Sequence, residues 1–106
     1  MDTLPNNEVI KEIEKLKERL GGRYRIEKAL LFGSRARGDN LLDSDVDLLL
    51  VSKDFGPNFL ERIRSVAKEW EPLVPLEPIC YTPKEFDKMR KRIGIVQQAA
   101  KEGIAV

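Results

Sequence analysis

Histidine is absent from this chain. That removes the commonest general base and every histidine-dependent triad. It also leaves no side chain with an ordinary pKa near neutrality, so activity is expected to hold steady from about pH 6 to 8. Cysteine occurs once, as Cys80. One thiol cannot make an internal disulfide or a paired-cysteine zinc site. No apolar run approaches the ~20 residues of a membrane-spanning helix. The first residues lack the pattern of a secretion signal, so no membrane association and a cytoplasmic location are expected. Charge of one sign is lacking too: 19 basic and 18 acidic residues leave a net charge of +1. Direct nucleic-acid binding usually comes with a strongly basic domain or stripe, and is not expected. Any catalysis must rest on Asp, Glu, Lys, Tyr, Ser or a bound metal.

What is present suits one small globular unit. At 106 residues, a single domain over 1–106 with one modest core is expected. The charged fraction, 35%, exceeds the usual ~25%, a bias also seen in proteins from hot environments.

Apolar residues at 9, 10, 13, 16 and 20 have helical spacing. The helix is expected over 7–20, capped by Asn6 or Asn7 and ended by Gly21-Gly22. YRIEKALLF, 24–32, reads as a strand entering a core. Gly33-Ser34 follows, with Ser34 as cap of a short helical turn closed by Gly38. DVDLLLVS, 45–52, is a strand after a polar loop at 39–44. Asn58 is expected to cap a helix whose apolar residues 59, 63, 66, 67 and 70 share one face. Pro72 and Pro75 break it. PLEPICYT, 75–82, is a third strand, and Pro78 inside it suggests an edge strand or a short one. Thr82, Pro83 and Glu85 spell a helix start with a capping box. Gly94 interrupts, 95–103 is helical again, and IAV offers a fourth short strand. The expected fold class is mixed α/β (α+β): a small mixed sheet of three to four strands with helices packed on one face.

The chemistry gathers at three points. Asp45 and Asp47 are two apart on a strand, so both carboxylates face one way, about 6 to 7 Å apart. Like charges that close repel, and a divalent cation removes the penalty. Mg²⁺ commonly binds one or two carboxylates plus substrate phosphates. Gly33 lets backbone approach a phosphate closely, and Ser34 begins a helical turn whose N–H groups suit an anion. Glu77 stands alone among Leu76, Ile79 and Cys80, which is costly without a partner. If its strand pairs with that of Asp45 and Asp47, it joins their face, completes a metal site and can take a proton from an acceptor hydroxyl. Otherwise it points to solvent from an edge strand.

Gly33-Ser34, ten residues, then Asp45-Val46-Asp47 resembles the Gly-Ser…Asp-x-Asp signature of the DNA polymerase β-like nucleotidyltransferases. The longer strings GSRARG and SDVDLLLV are similar to minimal nucleotidyltransferase domains, over roughly residues 8 to 92. The resemblance implies the polymerase β-like nucleotidyltransferase fold. It implies catalytic and metal-binding roles for Asp45, Asp47 and Glu77, and a triphosphate held at Gly33 and Ser34. Mg²⁺, as two ions, is the implied cofactor, and ATP the implied donor. The implied reaction moves a nucleoside monophosphate to a hydroxyl and releases pyrophosphate. The chain ends before the second domain of larger relatives, which suggests that a partner supplies the acceptor. Such minimal domains pair with HEPN-domain toxins as antitoxins, so a HEPN-type partner is the expectation.

Other residues have two readings. Arg35 and Arg37 are assigned to the nucleotide, against an exposed face or ion pairs with Asp39 or Asp43. Ser44 is assigned there too, against capping the loop or orienting a carboxylate. Lys88, Arg90, Lys91 and Arg92 read as a solvated helix face. Trp70 and Cys80 read as packing, and Tyr81 as packing or a base-stacking ring. Apolar residues at 93, 95, 96 and 99 finish the core, or form a surface for a partner or a homo-oligomer. The alternative function is a binding module that keeps the fold and masks a toxin without catalysis.

Overall fold

The computed structural model describes residues 2–106. Helix α1, Asn6–Leu20, buries Val9, Ile13, Leu16 and Leu20, a stripe spaced four, three and four. Pro5 holds the N-cap position and no side chain caps the helix. The expected asparagine cap is therefore corrected: the Asn6 amide oxygen instead accepts from Arg35 and Asn40. Strand β1, Lys28–Phe32, starts later than expected. Tyr24 and Ile26 pack against the core without joining the ladder. Helix α2 is one turn, Ser34–Arg37; its N-cap is Gly33, not Ser34. Strand β2, Val46–Val51, follows.

Helix α3, Phe59–Ala67, begins at Asn58, whose side chain accepts from the Glu61 N–H at 3.1 Å. Strand β3 is Leu76–Tyr81, helix α4 is Pro83–Met89, helix α5 is Ile95–Glu102 and strand β4 is Ile104–Ala105. The capping box of Thr82 and Glu85 forms as expected.

The sheet runs in the order β3-β2-β1-β4. The β1 ladder is antiparallel to β2 and β4, whereas β2 and β3 are parallel. Parallel neighbours need a crossover, and α3 provides it. This is a mixed α/β fold with a four-stranded mixed sheet.

Side chains alternate across the sheet and feed two clusters. Leu31, Leu48, Leu50 and Cys80 pack with α1 and α3 on one face. Leu30, Phe32, Leu49 and Val51 pack with Phe86 of α4 and with Val96 and Ala99 of α5 on the other. Helices therefore cover both faces, which corrects the expectation of one covered face. DLLLV accordingly has no polar alternation after Asp47: Leu48, Leu49 and Leu50 are all 0% exposed.

Two further expectations change. The buried side of α3 carries Arg62 and Val66, while Phe59 and Ile63 are exposed. Arg62 displaces the expected apolar face because its guanidinium reaches inward. It donates to the Cys80 carbonyl and to the Glu85 carboxylate, and lies 4.5 Å from the Phe59 ring centroid. The C-terminal residues divide: Val96 and Ala99 are buried, Ile93 and Ile95 exposed. No helix among the described residues is long and apolar enough to cross a membrane.

Candidate active site

The site lies where β1 ends and β2 and β3 begin. Asp47 pairs across the sheet with Phe32 on one side and Glu77 on the other. It shares parity with Leu49 and Val51, so it projects from the face of the second cluster. Glu77, its direct partner in β3, projects from the same face. Asp45 precedes the first residue of β2, so it is delivered by the loop rather than by the strand proper. The cover from α4 and α5 stops short of this end, for Asp45 and Glu77 are exposed and Asp47 half-buried.

Electrostatics record the closeness of the three carboxylates. Glu77 is raised above the ordinary carboxylate value, first by its contact with Asp45, then by burial and by the charges of Asp45 and Asp47. Asp47 is raised by burial and by Asp45; the opposing pull of Glu77 and of the Arg37 charge is weaker. Arg37 is exposed, pairs with Asp39 at 3.1 Å, and supplies a positive charge that Asp47 feels.

Gly33 is required by the site. Its φ is 73°, in the left-handed region, and a Cβ there would overlap the Asp47 carboxylate. Its carbonyl accepts from the Ala36 and Arg37 N–H groups, which starts α2 immediately beside Asp47. Ser34 is half-buried at the head of that turn.

The remaining assignments diverge. Arg35 is 4% exposed. All five of its N–H groups are used: Nε and Nη2 on the Ser44 carbonyl, Nη2 also on Leu42, Nη1 on the Leu4 carbonyl and the Asn6 amide oxygen. Its expected role on the nucleotide is corrected, since no donor remains for a phosphate. Burial lowers its pKa from the usual arginine value, with Asp43 opposing. The Ser44 hydroxyl accepts from the Leu41 N–H at 2.9 Å, the loop-capping alternative. Tyr81 lies four residues along β3 from Glu77, about 13 Å away, and packs edge-on against Phe59. That is the packing alternative. The Arg35 network was not foreseeable, because its carbonyl partners at Leu4 and Leu42 have no signature in a sequence.

The donor set suits a hard divalent cation: carboxylate oxygens that repel one another, beside a glycine that leaves no side chain in the way. Among the described residues no three acidic, cysteine or histidine side chains form a ready-made metal cage. An ion held by one or two carboxylates and completed by phosphate and water needs none. The site is an open shelf. A cleft of about 470 Å³, lined by Lys28, Leu30, Phe86 and Arg90 among others, lies toward the opposite end of this face and contains none of the three carboxylates.

Residues 13–105 match the profile of the nucleotidyltransferase domain. The chain belongs to the nucleotidyltransferase domain family. Among solved structures, the nucleotidyltransferase domain is similar to a Sulfolobus solfataricus protein described as a candidate nucleotidyltransferase. That likeness has a TM-score of 0.68 at 24% identity, over 94% of this chain and 80% of the other. It is also similar to a structure of a toxin–antitoxin with AMP-PNP, at a TM-score of 0.53 and 20% identity, over 96% of this chain and 72% of the other. Likeness at these identities shows the fold. No curated protein matches the chain.

Proposed function

We propose that this nucleotidyltransferase domain transfers a nucleoside monophosphate, AMP from ATP, to a hydroxyl on a protein partner, in a Mg²⁺-dependent reaction. The observation that carries the reading is the register that sets Glu77 opposite Asp47, with Asp45 against both, beside the Gly33-Ser34 turn. Asp45 and Asp47, with Glu77, would hold Mg²⁺. When bound, Mg²⁺ neutralises phosphate charge and stabilises the leaving pyrophosphate. Gly33 admits the triphosphate to the shelf, and Arg37 faces its negative charge. Glu77, the carboxyl raised by its neighbours, accepts the proton of the acceptor hydroxyl. The hydroxyl oxygen then bonds to the α-phosphorus as the α–β bridging bond breaks.

The open shelf suits a bulky acceptor, and the net charge of +1 argues against a nucleic acid in that role. The fold likeness to a toxin–antitoxin with AMP-PNP supports an antitoxin role, with a HEPN-type toxin as acceptor. A cytoplasmic location goes with that role. A second reading is a masking module without catalysis. It draws on the shelf's lack of enclosure, because ligand sites usually bury most of a small molecule.

The test incubates the protein, Mg²⁺ and each of the four α-³²P-labelled nucleoside triphosphates with a lysate of the source cell. Label from ATP on one protein band, lost with Asp45→Asn/Asp47→Asn, supports protein adenylylation. Label on RNA overturns the acceptor. No label, with a stable complex recovered from the same lysate, favours the masking module.

A further inference from the structure

Asp45 is the one of the three carboxylates that no strand or helix holds. Strand β2 starts at Val46, whose N–H donates to the Pro75 carbonyl. The backbone on the other side of Asp45 ends in the Ser44 carbonyl. That oxygen receives two hydrogen bonds from Arg35, from Nε at 3.1 Å and from Nη2 at 2.7 Å. The same guanidinium binds the Leu42 carbonyl at 3.0 Å, the Leu4 carbonyl at 2.6 Å and Asn6 Oδ1 at 2.9 Å. Asn6 also exchanges hydrogen bonds with Asn40, and the Leu4 N–H donates to the Leu42 carbonyl. One buried side chain thus joins the start of α1, the turn α2 and the loop that presents Asp45.

We infer that Arg35 is a positioning residue for the proposed metal site: its five hydrogen bonds hold the Ser44–Asp45 peptide so that the Asp45 carboxylate meets Asp47 and Glu77. The inference rests on the proposed metal-binding role of Asp45. Metal ligands depend on the groups that orient them, and losing such a support typically costs ~10 to 100-fold in metal affinity. The fixed planar fork of arginine serves three carbonyls and an amide at once. Lysine has three donors on a flexible stem and cannot reproduce that fork.

Arg62 provides an internal control. It is equally buried, 4% exposed, and also binds backbone carbonyls, but it ties α3 to β3 and α4. A buried arginine that matters only for folding should behave alike at both positions. Mn²⁺ binding, followed by its electron paramagnetic resonance signal, separates the cases. The proteins are wild type, Arg35→Lys, Asn6→Ala, Arg62→Lys and Asp45→Asn, each at a temperature where circular dichroism shows it folded. The expected result is about tenfold or greater weakening in Arg35→Lys, a several-fold weakening in Asn6→Ala, and wild-type affinity in Arg62→Lys. Amide exchange at Ser44–Val46 should quicken in the first two. Equal affinity in wild type, Arg35→Lys and Asn6→Ala overturns the positioning role while leaving the metal site standing. Equal weakening in Arg62→Lys overturns it too, as an effect of general loosening. If Arg35→Lys does not fold, Asn6→Ala decides by the same criterion. Absence of Mn²⁺ binding by the wild type overturns the metal site itself, and the positioning role with it.

Discussion

Asp47, Glu77 and Gly33 show at the scale of single residues why the site is costly to keep and useful once kept. Glu77 is raised above its ordinary value by Asp45, by burial and by Asp47, and Asp47 by burial and by Asp45. A carboxyl raised in the folded state binds protons that the unfolded chain has released, so stability falls as pH rises from the ordinary carboxylate range through the raised value. Below that range both states hold the proton and the difference vanishes. Above it the penalty is complete. Glu77→Gln should therefore raise the melting temperature of the metal-free protein at pH 7, with the gain disappearing at about pH 4. Because Glu77 is exposed, screening keeps the effect under about 1 kcal/mol. A lower melting temperature at pH 7 would contradict the crowding of the three groups. Gly33→Ala should act oppositely. The left-handed backbone and the overlap with Asp47 predict a loss of ~1 to 3 kcal/mol, measurable by urea unfolding. Cys80 is a third case. Burial pushes its thiol up to about 12, with Arg62 pulling weakly the other way. Iodoacetamide at pH 8 should modify it slowly in the folded protein and quickly after unfolding.

Local chemistry decided which elements were legible beforehand. The Asn58 cap and the Thr82–Glu85 capping box form as their sequences predict. Asn58→Ala and Thr82→Ala should each cost about 1 kcal/mol, or roughly 4 to 8 °C in a domain of this size. Thermal unfolding checks this, and no change in either variant would mean the caps are ornamental. Where distant partners compete, local signals failed. Asn6 and Asn7 look like helix caps, but Asn6 is engaged by Arg35 and Asn40 from across the fold. The α3 spacing assigned Phe59 and Ile63 to the core, whereas Arg62 takes the inner position because Cys80 and Glu85 await its guanidinium. Glu85 shows the same balance. Burial pushes its carboxyl up, yet hydrogen bonds from Arg62 and Thr82 outweigh that and hold it below the usual value.

The molecule as a whole positions the site through topology. A parallel β2–β3 pair starts two strands at one end of the sheet, and the antiparallel β1 finishes there. Asp47, Glu77 and the Gly33-Ser34 turn meet for that reason. The motif spacing made Asp45, Asp47 and Gly33-Ser34 legible, because turn and strand are neighbours in sequence. The third carboxylate was legible only conditionally, since whether Glu77 joins the pair depends on the crossover of 24 residues between Val51 and Leu76. Arg35 was misread, since burial of a guanidinium is a property of the assembled fold. The covered second face was missed because α4 and α5 look amphipathic with or without a sheet to cover.

Anomalous diffraction from crystals of the protein with Mn²⁺ and a non-hydrolysable ATP analogue tests the three-carboxylate site directly. The expected result is a Mn²⁺ peak at the Asp45 and Asp47 carboxylates, with Glu77 beside it and the triphosphate against Gly33 and Ser34. Nucleotide bound elsewhere, or bound with no metal peak at these carboxylates, would contradict it.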